Sequence, residues 1–398
     1  MNALAYKESK STFISFFDAL KNGASETANE IKIIEFICGF CLIFFSVFIA
    51  GESVTSLSVI SLIAIRMFAN SKRFILQSQI IKIVFFVSFF YLYFVSTEWG
   101  LSEPSDAIRR IVRMSLVVIL MLMIANGKIN IKSYLVGLSF GLVFNAIAWK
   151  LGIAPQFYEG YLTGWISDKN VSGLYYGFVP LVLLFFVRSS RYQMAVFIIS
   201  VPLLWATGSR TSIAAFLIGI LWLFFANKLN IFPKIFLGVF IVWFFEWLQR
   251  NYADSFFFGD RSGTDALRDR IDTAAWEKVQ QAPWHGLGLG QATVDLGENR
   301  QFFFHNSYWT LMVEGGILWV LAVCFLSLWI IFLSKQKVRT INNRRFMGAE
   351  SVGIYLAICS WRLGEVILTY PWAIAMGLAL SMLAVSLKPE ENNSILVD

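Results

Sequence analysis

The sequence predicts an all-α integral membrane protein of about twelve membrane-spanning helices with one large outer loop. Three observations lead there. Of 398 residues, 57% are hydrophobic and only 15% charged, with a mean hydropathy of +0.64; soluble domains carry about 25% charged residues. The apolar residues fall into blocks near the ~20 residues that cross a ~30 Å hydrocarbon core. The connections between blocks alternate in charge.

The blocks are 32–51, 53–70, 78–96, 109–127, 133–151, 172–188, 192–207, 210–227, 231–248, 307–333, 349–366 and 370–387. Every second connection is basic: Lys72 and Arg73; Lys128 and Lys132; Arg188 and Arg191; Lys228 and Lys234; then Lys335, Lys337, Arg339, Arg344 and Arg345. The intervening connections hold the acids: Glu52; Glu98, Glu103 and Asp106; Glu159 and Asp168. Basic loops mark the cytoplasmic side, so both termini are expected there. The chain then divides into a cytoplasmic tail (1–31), nine helices (32–248), an outer loop (249–306), three helices (307–387) and a second cytoplasmic tail (388–398). The first tail is mixed and polar, lacks the apolar core of a secretory signal, and holds a short amphipathic piece at Phe13–Leu20. The net charge of +7 is topogenic and faces anionic membrane lipids; it is no argument for nucleic acid. Cys38, Cys41, Cys324 and Cys359 all fall in apolar blocks, as packing residues do.

The loop 249–306 is far longer than ordinary connections. Within it, Ile271, Ala275, Trp276 and Val279 recur at helical spacing, predicting a helix over "TDALRDRIDTAAWEKVQQAP" that closes at Pro283. A structured cap over the outer face is the expectation.

Four features sit at that face. Arg210, in "TGSRT", opens a block at its outer end. It is either an interfacial anchor or, beside a helix N-terminus and small polar neighbours, a phosphate seat. Arg268 and Arg270, with Arg261 nearby, either pair with Asp265, Asp269 and Asp272 on a solvated face or fork onto phosphate oxygens. The run "PWHGLGLG" opens no βαβ unit and reads as a turn, with His285 structural. His305, one of two histidines, begins the apolar block after the loop, with Asn306 and Tyr308 beside it. It is either a boundary residue or a general base, for which an ordinary imidazole suits neutral pH. No second histidine or thiolate stands at zinc-ligand spacing. Lys169, Arg109, Arg110 and Arg113 form a second tier of outer-edge cations, and Arg113, the deepest, needs a partner or a cavity.

Together these features resemble the O-antigen ligase and polymerase superfamily of bacterial envelope glycosyltransferases. His305-Asn306 is followed by nine residues and then Gly316, with Glu314 ahead of the glycines; Trp319 stands where the pattern often has a small residue. "TGSRT" is similar to the family's outer-edge arginine segment, and "PWHGLGLG" to its P-x-x-G-x-G run, with Arg268 fifteen residues before Pro283. The resemblance implies a GT-C-like fold in the bacterial inner membrane, with its active site on the periplasmic side. It implies a donor glycan on undecaprenyl diphosphate and a lipid A-core acceptor. Arg210 and Arg268 would hold the diphosphate, His305 would take the acceptor proton, and Arg270, Asn306 and Lys169 would contact substrate. The transfer would be metal-independent and inverting, with no cofactor and no nucleotide.

Within the superfamily a ligase is favoured over a polymerase joining lipid-linked repeats, because the outer connection at 152–171 is short and holds no arginine. A flippase or other transporter is the remote alternative. It predicts mid-membrane charges in both halves and repeat symmetry, whereas the charges here gather at one edge.

Overall fold

The computed structural model describes residues 31–69, 76–100, 102–186, 190–225, 262–297, 301–333 and 343–386, with isolated positions between 233 and 243. The tails, the Phe13–Leu20 piece, most of the block at 231–248 and Arg261 lie outside the described residues.

Helices follow the apolar blocks. They are α1 (Ile33–Cys41), α2 (Val54–Met67), α3 (Leu76–Phe94, continued by a π turn to Trp99), α4 (Pro104–Ala125), α5 (Ile131–Lys150), α6 (Lys169–Phe186), α7 (Ser190–Ala206) and α8 (Arg210–Phe225). Then come α9 (Ser262–Gln281), α10 (Ser307–Leu328, with a π turn to Leu333), α11 (Asn343–Arg362) and α12 (Tyr370–Ser386). Among the described residues three helical stretches, Ser78–Trp99, Ile131–Lys150 and Ser307–Phe332, are long and apolar enough to cross a membrane, and four shorter apolar helices accompany them. The chain is an all-α integral membrane protein in its architecture. Two short antiparallel hairpins interrupt it: β1 (Phe48–Ile49) with β2 (Glu52–Ser53), and β3 (Thr293–Asp295) with β4 (Gln301–Phe303).

The ends of these helices have local causes. Pro104 at the first position starts α4, five residues before the apolar block it serves. Asn130 caps α5 by accepting from the Ser133 amide, and Ser53 caps α2 by accepting from the Ser56 amide. The packing has a cause too. A Cβ added at Gly39 would lie 2.0 Å from the Tyr134 carbonyl oxygen, and one at Gly137 would lie 2.0 Å from that of Phe36. Glycine thus lets α1 and α5 meet backbone to backbone, as helices in membranes do where side chains are small.

The first block departs from the expected span at 32–51. Its helix ends at Cys41, and residues 42–53 run as turns and the β1–β2 hairpin. Ala50 and Gly51 both take positive φ, 52° and 85°, the backbone a two-residue hairpin turn requires. The backbone freed by this early stop is satisfied elsewhere: the Ser46 amide donates to the Trp165 carbonyl (3.0 Å) and the Thr55 hydroxyl to that of Leu42 (3.2 Å). The four cysteines are free thiols.

Candidate active site

The cap is a small hydrophobic unit resting on one end of the bundle. Ile271 and Ala275 of α9 are buried against Ala292, Val294, Phe304 and Val313. Trp276, of the same helical-spacing set, is 46% exposed and lies against Trp309, ring centroids 5.4 Å apart. Lys278 donates to the Thr293 carbonyl (2.9 Å), and burial holds its ammonium below the usual lysine range.

The run 284–290 does more than turn the chain. α10 is broken at Gly316, whose φ of 68° and ψ of −169° leave the helical region. The opened backbone pairs with the run: Leu287 N donates to Val313 O (2.6 Å), Gly288 N to Glu314 O (3.2 Å) and Ile317 N to Trp284 O (2.9 Å). A Cβ at Gly316 would sit 2.0 Å from the Trp284 oxygen, so this position needs glycine on two counts. Tyr91 of α3 donates to the carbonyls of Gly315 (3.2 Å) and His285 (3.3 Å). Trp319, the departure from the family pattern, is buried between Phe85 and Phe89. His285 lies between Trp99 and Trp284, centroids 5.0 Å and 5.4 Å away, in keeping with a structural role.

Glu314, just before the break, is buried. Its carboxylate takes the Gly290 amide (2.9 Å) and the Arg110 guanidinium (2.7 Å), and Arg110 also bonds Glu365. Four separate segments meet there: α4, α10, the glycine run and the α11–α12 turn.

A second polar cluster gathers around His305. Asn306 caps α10, its Oδ1 accepting from the amides of Tyr308 (2.9 Å) and Trp309 (3.2 Å). The His305 carbonyl accepts from Gly364 N (2.9 Å), and Ser307 is stitched to the same turn, so the histidine's backbone is held. Its ring, about a quarter exposed, places Nδ1 3.3 Å from Asp272 Oδ1. Asp272 Oδ2 lies 3.4 Å from Arg362 Nη1, and the Arg268 guanidinium donates to the Arg362 carbonyl. Arg268 and Asp272, four apart on α9, share one helix face and together grip the end of α11.

Arg210 reaches the same end of the bundle by a different route. Trp222 Nε1 donates to Glu350 Oε2 (3.2 Å) and Ser351 Oγ to Gly219 O (2.6 Å), so α8 and α11 lie antiparallel side by side. Twelve residues back from Trp222 is Arg210; twelve on from Glu350 is Arg362. At 1.5 Å per residue both arginines stand at one height, about 18 Å from that contact. Lys169 opens α6 with its ammonium 5.6 Å and 5.7 Å from the ring centroids of Tyr158 and Tyr161.

The other candidates sit differently. Arg270 is exposed, two residues from Arg268 and so on another face of α9. Asn306, read from the sequence as a substrate contact, is buried with its Oδ1 engaged in the cap. Arg109 pairs with Asp106 in solvent (3.2 Å), and Arg113 is exposed on α4. Among the described residues no three of His, Cys, Asp and Glu cluster as a metal site requires.

Residues 195–326, about a third of the chain, match the protein-family model described as O-antigen ligase. That stretch contains Arg210, α9, the glycine run, His305 and the Gly316 break. Over that stretch the chain is similar to the O-antigen ligase family. No curated protein matches it. The similarity supports, in general terms, an activity of O-antigen ligase or polymerase type.

Two residues of the His305 cluster carry only weak signals in the sequence. In the sequence Asp272 reads as a neutraliser of neighbouring arginines, although its spacing from Arg268 puts it on the same face. Arg362 lies inside the apolar block 349–366, where an ionisable residue is itself a pointer to function.

Proposed function

We propose that the chain is an O-antigen ligase. It moves a glycan from undecaprenyl diphosphate to a sugar of lipid A-core at the periplasmic face of the bacterial inner membrane, on a GT-C-like scaffold. The observation that supports this reading best is the convergence of His305, Arg268 and Arg362 beneath the cap, with Arg210 opening α8 at the same height of the bundle.

The chemistry follows from that convergence. The donor's lipid tail stays in the bilayer while its diphosphate meets Arg210, whose helix N-terminus adds a positive dipole end. Arg268, whose guanidinium holds the Arg362 carbonyl, brings a second positive charge to the donor's phosphate oxygens. The acceptor hydroxyl gives its proton to the His305 ring as its oxygen bonds the anomeric carbon. The bond from that carbon to the diphosphate oxygen breaks, and the electron pair leaves with undecaprenyl diphosphate. The arginines stabilise the charge that develops there. A single displacement inverts the carbon, and the phosphate ester supplies the driving force without a nucleotide.

Deletion of the gene in its host, with lipopolysaccharide resolved on a gel, tests the reading. Unsubstituted core with long glycan accumulating on undecaprenyl diphosphate is the expected result. Core capped by a single repeat would replace the ligase with a polymerase. Loss of lipid-linked glycan from the outer leaflet altogether would replace it with a flippase.

A further inference from the structure

We infer that Asp272 is a positioning residue for His305: it accepts the Nδ1 proton, leaves Nε2 as the ring's lone-pair nitrogen, and is itself held by Arg362. The catalytic consequence rests on the ligase reading above; the tautomer does not.

Three observations converge on it. The His305 backbone is fixed on both sides, by Gly364 N on its carbonyl and by the capping of α10 at Asn306, so only the side-chain torsions remain to be set. Asp272 Oδ1 stands 3.3 Å from Nδ1, at the long end of hydrogen-bond distances, as catalytic contacts often are before substrate binds. Asp272 Oδ2 faces Arg362 Nη1 at 3.4 Å, so the carboxylate has a cation behind it and a ring before it.

A neutral imidazole carries one proton, and an acceptor at Nδ1 puts it there. When Nε2 takes the proton of the acceptor hydroxyl, the imidazolium formed is paired through Nδ1–H with the Asp272 carboxylate, which keeps its own charge. That lowers the cost of developing the ring charge beside the arginines. A clamp alone would need no histidine, since Arg268 and Arg362 already join α9 to the end of α11.

The chain has two histidines, which makes the test direct. Full-length protein labelled with 15N-histidine, in detergent or nanodisc at a pH where imidazole is neutral, gives two ring systems. His305→Ala identifies which is which. The expected result is His305 with its proton on Nδ1, and a shift of proton population toward Nε2 in Asp272→Asn. Wild-type His305 protonated on Nε2, or a spectrum unmoved by Asp272→Asn, overturns the inference. The wild-type spectrum alone decides the first point, so a variant that folds poorly does not rescue it. In transfer assays Asp272→Asn is expected to lower kcat by about 10²–10⁴-fold, as loss of such a partner does elsewhere, with KM for the lipid-linked donor nearly unchanged, and Asp272→Glu to recover part of it. An equal rise in donor KM from Asp272→Asn and Arg362→Met, with the tautomer unmoved, would make Asp272 a clamp only. If the protein transfers no glycan while the tautomer is as expected, the ligase reading fails and the positioning contact stands.

Discussion

Two ionic clusters tie the cap to the bundle, and they are built in opposite ways. Around Glu314 the carboxylate is buried and met by a guanidinium at 2.7 Å and a backbone amide at 2.9 Å. Around His305 the ring is a quarter exposed and its contacts are loose, 3.3 Å to Asp272 and 3.4 Å on to Arg362. In the first the buried carboxylate is fully engaged, as a buried charge must be. The second sets a partly exposed imidazole beside arginine side chains at the end of the bundle. Glu314 stands within the pattern of the resemblance as His305 does, yet the geometry buries the carboxylate in a network and leaves the histidine ring a quarter exposed.

Substitutions sharpen the contrast, beginning with the largest expected effect. His305→Ala should lower transfer by about 10²–10⁴-fold, the usual worth of a general base, without moving the melting temperature of the purified protein. A full-rate His305→Ala enzyme would remove the base from the open cluster. Glu314→Ala should do the reverse. It strands Arg110 and the Gly290 amide, and breaking a buried pair costs about 3–5 kcal/mol. Thermal melting in detergent should therefore drop sharply while the surviving folded fraction turns over normally. Arg268→Lys keeps the charge but loses the fork; donor KM should rise about tenfold, roughly 1.4 kcal/mol, with kcat less affected. Arg270→Ala, on an exposed face, should change stability by no more than about 0.5 kcal/mol and leave donor KM within twofold. A large KM effect from Arg270 and none from Arg268 would put the donor on the other face of α9.

Much of this was legible in the sequence, and what was not has physical reasons. The helices announced themselves because lipid demands long apolar runs with internally paired backbone, and α9 because its apolar residues recur at helical spacing. The first block misled because hydropathy is blind to a turn: "FFSVFIAGE" is as apolar as a span, but Ala50-Gly51 folds it back. Arg268 and His305 were readable as cations and base at an edge. That Asp272 lies against His305, thirty-three residues away, was not, because it depends on how α9 docks. The pairing of 284–288 with a broken α10 was equally hidden, since backbone bonds between distant segments leave no local pattern; only Gly315-Gly316 hinted at an opening.

That break gives the spacing between histidine and glycine a meaning. From Asn306, where the helix is capped, to Gly316, where it opens, is ten residues, just under three turns. The segment is a ruler of about 15 Å, pinned at one end by the α11–α12 turn and at the other by residues 284–288. One residue inserted within it would rotate one end by about 100° against the other, so the cap and the glycine run could not both be kept. The same insertion beyond Trp319 falls outside the ruler. The apolar half of α10 beyond Gly316 lies outside the ruler, so its length does not set where the histidine stands relative to the glycine run.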